Sequence, residues 1–100
     1  METTVDLDEL RARIKLASLT FIAARLKQAR EDSGLSHDAI GDRMGGVTRQ
    51  HLIKLEQARH RPGPEMLIRF AEATGKPVDF FLVTEVQEPG SFRNGRGSDA

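Results

Sequence analysis

The chain contains no cysteine, so it can form neither a disulfide framework nor a thiolate zinc site. It has no apolar run near the roughly 20 residues that a membrane-spanning helix requires. Its N-terminus lacks the basic stretch followed by an apolar one that marks a secretory signal. These absences predict a cytoplasmic protein without membrane contact. With 100 residues, the chain can hold one small domain with flanking ends, and its core can be only modest.

An excess of charge of either sign is also missing, since 15 basic residues balance 15 acidic ones. Zero net charge argues against a generic binder of polyanions. The charges are unevenly placed, however. The N-terminus is acidic, whereas residues 49–61 carry one acidic residue, Glu56, against four basic ones, Arg49, Lys54, Arg59 and Arg61. A local basic face suits modest, salt-sensitive contacts with phosphate, and a chance scatter of charges over helix surfaces is the alternative.

What the chain does contain is helical periodicity, beginning near the N-terminus. Asp6 can cap a helix, and Glu9, three residues later, completes a capping box. Apolar residues then follow at steps of three and four and form one helical stripe: Leu7, Leu10, Ile14, Ala17 and Phe21. This predicts a helix over about 6–17, either separate from the next helix or fused to it. Ser18 and Thr20 are candidate caps for a break.

Four further segments carry the apolar periodicity, caps or terminating glycines of helices. The predicted helices cover about 21–32, 37–44, the segment after the cap Thr48, and 64–74, and a short apolar turn follows at 78–82. Gly34 and Gly75 are placed to end helices, and Gly45-Gly46 turns the chain. Gly41 lies inside a helix, where glycine costs about 1 kcal/mol relative to alanine, so another backbone is expected to pass close to it. After Val83 the chain is polar and glycine-rich, which predicts disorder.

The order and spacing of several short motifs resemble the helix-turn-helix of the phage repressor family, the Cro/C1-type (XRE-like) DNA-binding domains. The resemblance covers about residues 20–83, and its motifs are GLS at 34–36, GVTRQHL at 46–52, LE at 55–56, RP at 61–62 and TGKPVDFFL at 74–82. It implies an all-α fold, a five-helix bundle like that of lambda repressor, with an extra or extended N-terminal helix. The implied organisation is a helical extension at 1–19, the DNA-binding domain at 20–83 and a flexible tail at 84–100.

The chain departs from the family pattern at three places. The helix-turn-helix is one residue longer than usual, and the insertion is placed at Gly45-Gly46. Gly41 stands where the family prefers alanine, and Ala58 stands where it prefers glycine. An extra residue in the turn can shift the angle of the recognition helix.

The resemblance places the helix after Thr48 in the major groove, because in a helix-turn-helix the second helix inserts there by its N-terminal end. Thr48, Arg49 and Gln50 would meet base edges, and Lys54, one turn later, could reach a base or a phosphate. Arginine can bond both acceptors of guanine, and glutamine matches the donor and acceptor of adenine. The alternative is that these are solvated polar residues of a first helical turn.

Phosphate contacts are expected on both sides of this helix. Ser36 and His37 lie at the N-terminus of the preceding helix, where free amides favour phosphate, although Ser36 can serve solely as a cap. His51 lies in the first turn of the recognition helix. Arg59 and Arg61, with His60 between them, would bind phosphates on the flank, unless the loop is simply solvated.

No catalytic or metal-binding pattern competes with this interpretation. The resemblance gives Glu56 a structural role, and no carboxylate or histidine is spaced to form an acid–base pair with it. His37, His51 and His60 lack the spacing of metal ligands. We therefore expect no enzyme, no metal and no cofactor.

The sequence thus predicts a regulator of transcription, a repressor that binds double-stranded DNA, occludes polymerase and associates with the nucleoid when bound. One module contacts a half-site, so a homodimer on a pseudo-palindromic operator is expected. Its interface could be the closing segment 78–82 or the N-terminal stripe, unless that stripe packs within the monomer. The first alternative is an antitoxin-type regulator whose main partner is a protein bound through the N-terminal helix. The second is a helical interaction module that has lost DNA binding.

Overall fold

A computed structural model describes residues 6–82, so residues 1–5 and the tail predicted after Val83 lie outside the described part of the chain. Within it the only regular elements are helices: α1 (Leu7–Leu16), α2 (Leu19–Ser33), α3 (His37–Arg43), α4 (Arg49–Glu56), α5 (Pro64–Thr74) and a closing 3-10 helix (Val78–Phe81). The predicted all-α bundle is confirmed. The repressor-like core consists of α2 to α5 and the closing 3-10 helix, with α1 added before it.

The N-terminal helix is separate from the one that follows. Asp6 caps α1, since its Oδ1 accepts hydrogen bonds from the amides of Asp8 at 3.0 Å and Glu9 at 3.2 Å. The chain becomes extended at Ala17 and Ser18, and Ser18 Oγ accepts the amide of Phe21 at 3.2 Å to begin α2. A serine cap alone therefore starts a new helix where neither glycine nor proline forces a break.

The apolar stripe of α1 packs within the monomer. Leu10 and Ile14 are buried in the same core as the rest of the domain, and α1 lies against α5. Arg61 ties down the end of α1, because its Nη1 donates to the carbonyl oxygens of Ile14 at 2.7 Å and Ala17 at 2.9 Å. Most of the stripe is therefore unavailable as a surface for a second copy or another protein, although Leu7 remains 37% exposed.

One hydrophobic core joins all the elements. Its largest fully buried side chains come from α2, α3, α4, α5 and the closing helix: Ile22, Leu26, Ile40, Leu52, Leu55, Leu67, Phe70 and Phe81. Phe81 meets Phe70 and Phe80 edge-on, with ring centroids 5.9 Å and 5.3 Å apart. Leu82 is also buried, and Val78 and Phe80 are half-buried against this core. The closing segment is thus mostly used inside the monomer.

The turn between α3 and α4 passes directly over Gly41. The Gly41 carbonyl accepts the amides of Gly46 at 2.9 Å and Val47 at 3.1 Å, and a Cβ at position 41 would lie 2.0 Å from the Val47 carbonyl oxygen. Gly45 and Gly46 have φ values of 91° and 104°, a region that residues with a side chain rarely adopt. The predicted close backbone approach is confirmed, and it explains why glycine stands at position 41.

A second unusual conformation ends α4. Ala58 has a φ of 62°, its amide bonds the Leu55 carbonyl at 3.2 Å, and the amide of Arg59 bonds the Lys54 carbonyl at 3.0 Å. This is the hydrogen-bond pattern of a Schellman motif, whose left-handed position is usually glycine. The motif sets the direction in which Arg59 leaves the recognition helix.

Candidate nucleic-acid interface

The recognition helix α4 is held by one face and exposed on the other. Leu52 and Leu55 are buried at 0% and 1% exposure, which anchors α4 against α2 and α3. Since residues three and four apart share a helix face, this burial turns the remaining polar residues outward. Arg49, Gln50 and Lys54 are all exposed.

An open groove runs along the outer side of α4. It is lined by Gln50, Ile53, Lys54, Gln57 and Arg59. Two of the predicted base-contacting residues and one predicted phosphate-contacting residue thus share one concave surface. Ile53 and Gln57 belong to the same surface although the sequence analysis gave them no role.

Thr48 and Ser36 serve as helix caps. Thr48 Oγ1 accepts the amide of His51 at 3.2 Å, and Ser36 Oγ accepts the amide of Ala39 at 3.1 Å. Both residues are exposed, and a hydroxyl that accepts one bond can still donate its own hydrogen. Each cap therefore keeps a donor available at the start of α3 or α4.

Arg49 pairs with Asp38 across the two helices. Its Nε donates to Asp38 Oδ1 at 3.2 Å and its Nη2 donates to Oδ2 at 2.5 Å. The hydrogen bond from Arg49 lowers the pKa of the Asp38 carboxyl, and the same bond raises the pKa of Arg49. Asp38 is the residue near the predicted site that sequence reasoning missed, because an acidic residue in a first helical turn is already accounted for by the helix dipole.

Glu56 is a structural residue at the end of α4. Its carboxylate accepts two bonds from Arg30 of α2, from Nε at 2.9 Å and from Nη2 at 3.1 Å, and its side chain is 7% exposed. This hydrogen bond raises the pKa of Arg30. His37 Nε2 lies 3.3 Å from Glu56 Oε1 but without the geometry of a hydrogen bond. The one acidic residue of the basic segment is therefore turned inward, and it fixes α4 relative to α2.

The predicted phosphate-contacting residues fall into two groups. His51 and His60 stack with ring centroids 5.9 Å apart, and Arg59 is exposed beside the groove, so these three lie together at the recognition helix. Arg61 instead directs Nη1 to the carbonyl oxygens at the end of α1. His37 lies at the start of α3, with its Nε2 turned towards Glu56.

Among residues 6–82, no group of three or more histidine, cysteine, aspartate or glutamate side chains could hold a metal ion. No helix in the same range is both long and apolar enough to cross a membrane.

A second helix that is anchored by one face and presents polar first-turn residues after a short turn defines a helix-turn-helix protein. Residues 26–81, more than half of the chain, match the helix-turn-helix family. A relative from Methanothermobacter thermautotrophicus is called an uncharacterized HTH-type transcriptional regulator. It is 34% identical over 62 residues, which are 60% of this chain and 88% of the relative. No solved structure gives a significant match. The chain belongs to the Cro/C1-type helix-turn-helix family, a class of DNA-binding regulators of transcription.

Proposed function

We propose that this protein is a repressor that binds a pseudo-palindromic operator in duplex DNA as a dimer. The observation that carries the proposal is the outer face of α4, where exposed donors, Arg49, Gln50 and Lys54, lie opposite the buried Leu52 and Leu55. A helix anchored in this way can enter the major groove by its N-terminal end. Binding at a promoter would then exclude polymerase by occupying the same DNA.

Base reading is assigned to the first turns of α4. In this proposal Arg49 and Gln50 bond base edges, with Thr48 and Lys54 beside them. Each good bidentate contact is worth about 1–3 kcal/mol of discrimination. The groove supports the assignment, since Gln50 and Lys54 both line it.

Phosphate binding is assigned to residues that flank this face. Ser36 would meet the DNA backbone before α4 together with the main-chain amide of His37, whose Nε2 is buried towards Glu56. His51 and Arg59 would meet it beside the groove. Arg61 is left out of this set because its Nη1 already binds the end of α1. This set contains few cationic residues, as is expected for a protein with no net charge. The affinity for DNA should therefore fall with salt concentration in proportion to the small number of phosphates contacted.

Dimerisation is expected mainly on DNA. Both apolar sets that the sequence offered as interfaces pack largely within the monomer, and the exposed large hydrophobic residues of the described chain are Leu7 and Leu16, at 37% and 87%. Two such residues make a small patch compared with a stable interface. Two domains held by adjacent half-sites need only a weak contact, because the operator supplies their proximity.

Selection of bound fragments from random duplex DNA at two salt concentrations tests the proposal. We expect inverted half-sites with centres about 10–10.5 base pairs apart, or a multiple of that, bound at least roughly 10³-fold tighter than random DNA. Gln50→Ala should lose about 1–3 kcal/mol on the selected site. Gln28→Ala, an exposed glutamine of α2 outside the groove, is the matched control. Equal binding of selected and random fragments at both salt concentrations would contradict sequence-specific regulation.

A further inference from the structure

The pair between Asp38 and Arg49 links the first turns of α3 and α4 on the surface proposed to meet DNA. Both side chains are 60% exposed, and an exposed ion pair contributes little to stability. The pair therefore has little value as a clamp between the helices. Its geometry has a direct consequence for recognition, because it decides which donors of Arg49 remain available.

Asp38 occupies one edge of the guanidinium group and leaves the other edge open. Its two carboxylate oxygens accept from Nε and Nη2 of Arg49. Arginine has N–H groups on all three guanidinium nitrogens, so both hydrogens of Nη1 and one of Nη2 point away from Asp38. Two parallel N–H donors on this end match O6 and N7 of guanine in the major groove. A cytosine, adenine or thymine edge does not offer two adjacent acceptors there.

We propose that Asp38 is a positioning residue that fixes Arg49 to read guanine, so that each half-site requires guanine at one base pair. This deepens the proposed function and rests on it. A guanidinium held on one side by a carboxylate cannot turn freely to a phosphate. It also loses less rotational freedom when it bonds a base, which favours the matched base over the others.

The same carboxylate lowers affinity for DNA in general. Asp38 places a negative charge near the phosphates, where it opposes the attraction of Arg49 and its neighbours. Asp38 therefore lowers the affinity for DNA of any sequence and raises the preference for guanine over the other bases. If Asp38 instead only masked Arg49 and had to release it, its removal would strengthen binding to every sequence by the same factor.

The test compares Asp38→Asn with Asp42→Asn on duplexes of fixed length and salt. Asp42 is exposed on the same helix and has no ion pair within residues 6–82. Asp42→Asn therefore makes the same change of charge and leaves the pair between Asp38 and Arg49 intact. Fluorescence anisotropy gives Kd for the selected operator, for versions with the guanine replaced by each other base, and for random duplex. Circular dichroism confirms that each variant is folded.

For the wild-type protein we expect a preference for guanine of roughly 10–100-fold at one position per half-site. Asp38→Asn should lower this ratio at least about fivefold, with random duplex bound equally or more tightly. Asp42→Asn should leave the ratio within about twofold of the wild-type value. In an Arg49→Ala background, where the preference is already lost, Asp38→Asn should change the ratio no further, because a coupled pair is non-additive.

Two results would overturn the inference while the proposed function stands. One is a selected operator whose base preferences include no guanine that depends on Arg49. The other is an Asp38→Asn variant that keeps the guanine ratio, even when it binds all duplexes more tightly. Failure of the wild-type protein to select any sequence would instead remove the proposed function, and this inference with it.

Discussion

At the scale of single residues, the end of α4 holds an alanine in a conformation that suits glycine. Ala58 has a φ of 62°, and a residue with a Cβ in the left-handed region carries a strain of about 1–2 kcal/mol. The Schellman hydrogen bonds of Arg59 and Ala58 maintain this conformation. The family preference for glycine at this position follows from the same geometry.

Ala58→Gly should therefore stabilise the protein. Relief of the left-handed strain exceeds the added entropy of glycine in the unfolded chain, which is about 0.4–1 kcal/mol, so we expect a gain of roughly 0.5–1 kcal/mol. Urea unfolding measures it. Gly34→Ala is the reverse control, because Gly34 has a φ of 74° with open space around it, and it should lose about 1 kcal/mol. A destabilised Ala58→Gly variant would show that the alanine side chain makes a compensating contact.

The carboxyl group of Asp38 should titrate below its usual range. The hydrogen bond from Arg49 lowers its pKa because that bond stabilises the carboxylate form. The stabilisation is present above the ordinary value of about 3.9 and is lost only as the pH falls through the depressed pKa. The pair is thus intact across the neutral range.

Carboxyl chemical shifts followed by NMR through a pH titration check this statement. Arg49→Ala should raise the pKa of Asp38 towards its ordinary value, while Arg11→Ala, which removes a different exposed ion pair, should leave it unchanged. The same titration midpoint for Asp38 with and without Arg49 would mean that the pair is not formed in solution.

At the scale of elements, the sequence predicts where a helix begins when a side chain caps its N-terminus. Asp6, Ser36 and Thr48 each accept an amide two or three residues later, so the signal is local and the predicted starts agree with the structure. The sequence does not decide whether α1 and α2 are separate, because Ala17 has no conformational signal of its own. Leu52 and Leu55 are three residues apart, a helical spacing that indicates one buried face, and the exposed face of α4 follows from it.

In the turn of the helix-turn-helix, the tertiary structure overrides both helix propensity and the family pattern at one position. The family pattern favours alanine at position 41, and alanine is the better helix former by about 1 kcal/mol. In this chain the Val47 carbonyl oxygen occupies the place of the missing Cβ, at 2.0 Å. Glycine at position 41 is therefore required by the close approach of the turn backbone at Val47.

Gly41→Ala should destabilise the protein by about 1–3 kcal/mol, the range for overpacking in a close-packed site. Thermal and urea unfolding measure the change. Gly63→Ala is the control, because a Cβ there meets nothing within 4 Å and its φ is −78°, so its effect should stay below roughly 1 kcal/mol. If Gly41→Ala proved as stable as the wild-type protein, the turn would have to lie farther from α3.

At the scale of the whole molecule, basic residues serve two purposes that the sequence could not separate. Arg30 and Arg61 bind groups within the monomer, at Glu56 and at the end of α1, across 26 and 47 residues of sequence. Lys54 and Arg59 remain exposed at the groove. Charge patterning placed Arg59 and Arg61 in one class because it counts neighbours in sequence, whereas their roles depend on tertiary placement. The partner of Asp38 is 11 residues away in sequence, so only tertiary placement distinguishes Asp38 from an acidic residue that balances the helix dipole.

A pair of substitutions two residues apart separates these purposes. Arg61→Ala removes two hydrogen bonds from a charged donor to the end of α1, so it should lower the free energy of unfolding by about 1–3 kcal/mol. It should leave the slope of log K against log salt unchanged. Arg59→Ala should leave stability within about 0.5 kcal/mol, weaken all duplexes similarly and flatten the salt slope by about one unit.

Unfolding in urea and DNA titrations at several salt concentrations give both quantities for each variant. The two arginines are distinguished if Arg61→Ala lowers only stability and Arg59→Ala weakens only DNA binding. A general loss of folding would lower stability and binding together. If Arg61→Ala flattened the salt slope without destabilising the protein, Arg61 would leave α1 to bind phosphate in the complex. The docking of α1 would then depend on the burial of Leu10 and Ile14 together with the Arg13–Asp79 ion pair, and Leu10→Ala or Ile14→Ala should then destabilise the protein more than Arg61→Ala does.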